Sequence, residues 1–181
     1  MTHALSTAVG VLWVVFWVYW MISAAGAKQG TRARRARVPG LLIAVLVVLV
    51  LHVFKIGSFA IHDPAVRALG ACLVVVGLGL AVWARIYLGR NWGMPMTLKA
   101  EPELVTSGPY RFVRHPIYSG ILLAAFGTAL AVSAYWLIVV AVLGAYFIYS
   151  AQVEERLMAS SFPAAYPPYR ARTKMLIPFV L

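Results

Sequence analysis

The chain has 181 residues, 62% of them hydrophobic and 12% charged, with a formal net charge of +11. Soluble domains carry about 25% charged and 45–50% apolar residues, so this composition argues for an integral membrane protein built as one compact helical unit. The basic residues cluster in connections between apolar runs, as membrane topology demands, which argues against nucleic acid as their partner. The single cysteine, Cys72, rules out an intrachain disulfide and a cysteine-based metal cluster; it stands in an apolar run and is expected to be a small buried residue.

The first apolar run covers residues 4–25 and holds Trp13, Trp17, Tyr19 and Trp20 but no charge. It satisfies the ~20 residues a spanning helix needs. Its uncharged lead-in and aromatic content speak against a cleaved signal. Residues 28–40 then carry five cations and no acid, which reads as a cytoplasmic loop or an anionic-lipid patch. A second run, residues 41–61, is interrupted by His52 and Lys55, polar groups that are costly within a membrane and seldom idle. Asp63-Pro64 marks a turn. In the third run, residues 66–88, Gly70, Gly77 and Gly79 predict close approach of another helix, and Arg85 is placed to reach the headgroups.

A polar segment, residues 89–115, follows, too long for an idle connection in a compact domain. Trp92 and Tyr110 within it argue against disorder. Residues 117–149 are apolar and too long for one span, which predicts two helices joined by a tight turn near Ser133 and Ala134. The tail, residues 150–181, is amphipathic, with Glu154, Glu155 and a basic cluster of Arg170, Arg172 and Lys174. Pro167 and Pro168 are expected to keep their segment out of regular helix. The predicted fold is therefore an all-α integral membrane protein of about five transmembrane helices. Nearly all Lys and Arg then fall on one side, which puts the N-terminus outside and the polar segment and tail in the cytoplasm.

Three groups of residues carry candidate chemistry. Pro116 is suited to the first position of a helix, whose N-terminus attracts anions, and Arg111, Arg114 and His115 add donors there. Tyr110 and Tyr118 add aromatic faces with hydroxyls. The same residues also suit a plain interfacial anchor. Glu154 and Glu155 are two of only five acids. On a continuing helix they point about 100° apart, so one is expected to face a ligand and the other solvent or Arg156. Tyr166 and Tyr169 suit either a lid or a surface loop. Phosphate-loop, zinc-protease and nucleophile-elbow motifs are missing, and the four histidines are too scattered for a metal site.

Taken together, LGRNW (residues 88–92), LVTSGPYRFVRHPIYSG (104–120) and EERLMASSFPAAYPPYRARTKMLIPF (154–179) resemble the isoprenylcysteine carboxyl methyltransferase family, its bacterial relatives and the related phospholipid methyltransferases. The resemblance covers residues 85–181. It implies S-adenosylmethionine-dependent methyl transfer to a lipophilic or lipid-like acceptor at the cytoplasmic face of a bacterial inner membrane, without metal or nucleic acid. Residues 1–88 would form a three-helix membrane part. Residues 89–181 would form the methyltransferase core, its cofactor pocket built from the 89–115 loop, the fourth and fifth helices and the tail. The cofactor would be held by Leu104, Val105, Tyr110, His115, Pro116, Ile117, Tyr118 and Glu154, with Arg114, Glu154 and Glu155 at the catalytic centre. Where eukaryotic members carry a substrate-contacting arginine one helical turn before this glutamate, the chain has Ser150, and Pro163 replaces a family glycine. The acceptor is thus open among carboxylate, thiol, amine and lipid headgroup. Two other classes compete. One is an NADPH-dependent membrane reductase related to sterol reductases, whose His-Asp-Glu is here Gln152-Val153-Glu154-Glu155. The other is a non-enzymatic membrane scaffold or transporter.

Overall fold

The computed structural model describes residues 2–24, 30–32, 59–92, 97–99 and 102–178. Most of the predicted second span, with His52 and Lys55, and most of the basic 28–40 loop lie outside the described residues. Within them the chain is helical: α1 (Thr2–Ala24), α2 (Pro64–Leu88), α3 (Pro116–Ala131), α4 (Trp136–Ser161) and α5 (Tyr166–Arg172). A short ladder joins β1 (Gly30–Arg32) antiparallel to β2 (Thr97–Lys99), Gly30 opposite Lys99. Among the described residues three helices are long and apolar enough to cross a membrane, and α3 is a shorter apolar one. At 1.5 Å per residue α3 rises only about 24 Å, less than the ~30 Å hydrocarbon layer.

Local chemistry sets the helix ends. Asp63 caps α2, its carboxylate accepting from the Val66 amide at 2.9 Å, and Pro64 fills the first turn, where no amide partner is needed. Gly89, at φ 54°, ends that helix in a backbone conformation side chains resist. The predicted turn at Ser133 and Ala134 lies between α3 and α4, and Ser133 bridges back to Ala60.

The seam between α2 and α3 is closed by glycine. Gly70 and Gly77 lie two turns apart on α2 and face Gly127 and Gly120 of α3. A Cβ on Gly77 would stand 2.5 Å from the Ala124 nitrogen and 2.6 Å from the Gly120 oxygen; one on Gly70 would meet Ala131 and Gly127 at 2.5 and 2.6 Å. Such contact needs residues without side chains, the usual device where lipid supplies no hydrophobic drive between helices. Gly79, expected in the same role, faces open space. α1 leans on this pair through the Trp13 indole, which donates to the Thr128 hydroxyl at 3.0 Å. Its outer face of Val14, Val15, Met21 and Ile22 is exposed, as a lipid-facing surface is.

Three expectations are corrected. Cys72 is exposed rather than buried, because it lies on the face of α2 away from α3. Arg85 does not reach outward: it is buried, donating to the carbonyls of Gly89 and Ser23. α4 does continue past the apolar run, to Ser161, carrying both glutamates with it. Pro167 and Pro168 do not exclude helix; they occupy the first turn of α5, where a missing amide costs nothing.

Candidate functional site

Pro116 opens α3, as its fixed φ and absent amide favour, and His115 is the residue before it. The last stretch of chain pins this entrance. The amides of Arg114 and His115 donate to the carbonyls of Lys174 (2.8 Å) and Met175 (3.0 Å), and Ser119 Oγ donates to Leu176 O at 2.5 Å. Tyr169 adds a bond from its hydroxyl to the Tyr110 carbonyl at 2.8 Å. A backbone zipper therefore holds residues 110–119 against residues 169–176.

Both glutamates of α4 reach into this entrance. Arg114 Nε donates to Glu155 Oε1 at 2.6 Å, with side-chain exposures of 9% and 5%. The same guanidinium donates to the carbonyls of Arg170 and Thr173. Arg170 Nε lies 3.4 Å from Glu155 Oε2. Glu154 accepts from the Tyr118 hydroxyl at 2.5 Å and lies 3.4 Å from His115 Nδ1. His115 Nε2 is 3.6 Å from Glu155 Oε1, an ion-pair separation too long for a hydrogen bond. Stacked rings stiffen the arrangement: His115 on Tyr118 at 5.5 Å, and Tyr118 on Phe147 at 4.4 Å. The expectation that one glutamate faces solvent or Arg156 is corrected. Glu155 is the more buried, and its partners are Arg114, His115 and Arg170. Glu154 keeps 24% side-chain exposure and is the carboxylate still addressable by a ligand.

The electrostatics follow from this crowding. Burial alone would push the His115 pKa down, but its contacts with Glu154 and Glu155 outweigh that and raise it, favouring the imidazolium. Burial, with Tyr169 and Glu154 nearby, drives the Tyr110 hydroxyl well above its ordinary range, partly countered by Arg85. Burial likewise pushes Tyr169 up to about 12. These phenols stay neutral donors.

The structure brings together Arg114, His115, Tyr118, Glu154 and Glu155, with Tyr110 in electrostatic reach of Glu154. Pro116 and Ile117 are buried in the first turn of α3. Leu104 and Val105 are half-buried in the approach, Val105 against the core. Arg111 stands apart, exposed, its guanidinium 4.5 Å from the Phe112 ring centre. Sequence reasoning missed Arg170 as a partner of Glu155 and Thr173 as an acceptor for Arg114. The basic cluster of the tail was the visible signal. It also missed Arg85, whose only signal was a cation inside an apolar run.

Four buried side-chain polar atoms among the described residues lack a hydrogen-bond partner: Arg85 Nε, Asn91 Oδ1, His115 Nε2 and Ser150 Oγ. They come from the end of α2, the start of α3 and the turn of α4 below Glu154. Buried polar groups are rarely left unpaired. Among the described residues no group of three or more His, Cys, Asp or Glu has metal-site geometry.

Residues 65–165, more than half of the chain, match the family described as Phospholipid methyltransferase. A Protein-S-isoprenylcysteine O-methyltransferase of Saccharomyces cerevisiae is 30% identical over 130 residues, 70% of this chain and 54% of that protein. Methanethiol S-methyltransferase 2 of Bradyrhizobium diazoefficiens is 41% identical over 69 residues, 38% of this chain and 26% of that protein. The cobalt-zinc-cadmium resistance protein CzcN of Cupriavidus metallidurans is 31% identical over 137 residues, 74% and 61%. The chain thus spans less than two thirds of the length of each.

Proposed function

The chain belongs to the phospholipid methyltransferase family, and from that membership we propose that it is a membrane-embedded methyltransferase using S-adenosylmethionine to methylate a lipophilic small molecule or lipid-like acceptor. The observation that carries this reading is the Glu154–Tyr118–His115 cluster at the entrance of α3, inside the matched region. The methyltransferase relatives favour it over the reductase and scaffold readings.

When bound, the cofactor would supply an activated methyl group for in-line displacement, a reaction that needs alignment and dryness more than proton transfer. Glu154 would hold the ammonium, itself oriented by the Tyr118 hydroxyl and His115. Tyr110, His115, Pro116, Ile117 and Tyr118 would wall the cofactor, with Leu104 and Val105 contributing along the approach. Arg114 and Glu155 have spent their charges on each other and on the tail, so they are assigned to holding the entrance closed against water. Residues 89–181 would form the reacting unit, with α2 as the wall α3 packs on. Ser150 is fully buried and uncharged, which suits an acceptor recognised by its apolar body. The protein is integral to the membrane. Its basic loops support a site and C-terminus on the cytoplasmic side of a bacterial inner membrane, with the N-terminus outside.

The test is transfer of a labelled methyl group from S-adenosylmethionine by detergent-purified protein supplied with a membrane lipid extract. Label in an organic-phase product is expected. Label reaching only water-soluble peptides would overturn the lipophilic acceptor.

A further inference from the structure

Arg85 is a buried cation with no counter-ion among the described residues. It lies in the last turn of α2 with 5% exposure. Its Nη1 donates to the Gly89 carbonyl at 2.7 Å and its Nη2 to the Ser23 carbonyl at 2.5 Å, both neutral groups. The guanidinium sits 4.8 Å from the Trp92 ring centre, and its Nε has no hydrogen-bond partner. The described acids are committed elsewhere. Asp63 caps the opposite end of the same helix, Glu103 accepts from Asn91, and Glu154 and Glu155 engage Tyr118, His115, Arg114 and Arg170. A buried charge is tolerated when an opposite charge or full hydrogen bonding compensates it, and Arg85 has neither within the described chain.

Its position is at the site. The turn Gly108–Arg111 packs on the end of α2, where the Tyr87 ring lies against Gly108, a residue with φ 57° that no side chain could occupy. Tyr110 of that turn is buried in the same core cluster as Trp92, against whose ring Arg85 sits, and Tyr118, which donates to Glu154. In the turn that follows the helix, the Asn91 Oδ1 is also buried and without a hydrogen-bond partner. We infer that Arg85 is an anion-binding residue of this site, its free Nε–H and full charge taking a ligand carboxylate while Glu154 takes an ammonium. Resting on the methyltransferase reading, this gives the site two opposite charges for the two ends of an α-amino acid group. The carboxylate has two sources, the cofactor's amino-acid end or an acidic acceptor.

Equilibrium titration of the detergent-solubilised full chain separates them, using Arg85→Gln and Arg85→Lys. The probes are S-adenosylhomocysteine and 5′-methylthioadenosine, which lacks the amino-acid end, then dodecanoate and dodecanol. If the carboxylate is the cofactor's, Arg85→Gln weakens S-adenosylhomocysteine about tenfold to a hundredfold. It then leaves methylthioadenosine unchanged, which also proves the variant folded, and Arg85→Lys recovers part of the loss. If the carboxylate is the acceptor's, both adenosine probes bind as in the parent, and the variant loses a preference for dodecanoate over dodecanol. The inference is overturned if neither difference appears, or if both adenosine probes weaken together, since Arg85 would then only tie α1 to α2. Parent protein that binds neither adenosine probe would instead refute the methyltransferase reading, leaving the dodecanoate preference to decide Arg85.

Discussion

The flank and the start of α3 are built on opposite principles. Along its length the helix meets α2 backbone to backbone, through Gly120 and Gly127 against Gly77 and Gly70, with Arg67 of α2 donating to the Ala131 carbonyl at the far end. At its start it is surrounded by Arg114, His115, Glu154, Glu155 and Arg170, and by a tail zipped on through carbonyls. The seam is fixed by shape, and its tolerance for change is set by whether backbones can move apart. The entrance is fixed by charge pairing in a poorly solvated place, where removing one partner strands the other. The difference teaches where rigidity is needed: a close-packed wall holds still so that a charged entrance can be held in one arrangement.

Breaking the entrance should have the largest effect. Arg114→Ala leaves Glu155 buried without its principal partner and is expected to cost about 3–5 kcal/mol. Thermal unfolding in detergent would show it, and Arg114→Met combined with Glu155→Leu should be milder than the single change. An unchanged midpoint in Arg114→Ala would show that the pair carries no stability.

The seam comes next. Gly77→Ala puts a methyl 2.5 Å from the Ala124 nitrogen, so the helices must part, at about 1–3 kcal/mol. Gly79→Ala, facing open space, should leave the midpoint where it is. Equal effects from the two would remove the distinction between the two faces of α2.

A titration sharpens the entrance. His115 has its pKa raised above 6.5 in the folded chain, so the folded state binds more protons than the unfolded one. Its contribution is fully present below 6.5 and is lost as pH rises through the raised value, at about 1.4 kcal/mol for each tenfold gain in the proton affinity of the folded chain. Melting midpoints should therefore decline over that window, and His115→Gln should flatten the decline. A midpoint rising across it would reverse the sign. The smallest effect is Trp13→Phe, which removes the bond to Thr128 and should cost about 0.6 kcal/mol.

Much of this was legible in the residues. Pro116 announced the start of α3, Ser133 and Ala134 its hairpin, Asp63-Pro64 the start of α2, and the seven-residue spacing of Gly70 and Gly77 the seam. These are local signals, fixed by backbone chemistry. What the sequence hid depends on neighbours distant along the chain. Glu155 could be placed inward only by knowing that Arg114 and Arg170 meet it. Arg85 read as an outward-reaching cation because nothing local reveals that Ser23 and Trp92 enclose it. Pro167 and Pro168 read as breakers because a first-turn position cannot be told from an interior one before the helix start is known. Cys72 and Gly79 show the reverse error: an apolar run does not say which face of its helix is covered.

The central claim is that the α3 entrance is a cofactor site addressed through Glu154. Calorimetric titration of the purified protein with S-adenosylhomocysteine tests it most directly. The account predicts binding on the order of micromolar, no competition by NADPH, and affinity lowered at least about tenfold in Glu154→Ala while Gly79→Ala binds as the parent does. Binding of NADPH instead, or equal affinity in Glu154→Ala and the parent, would contradict it.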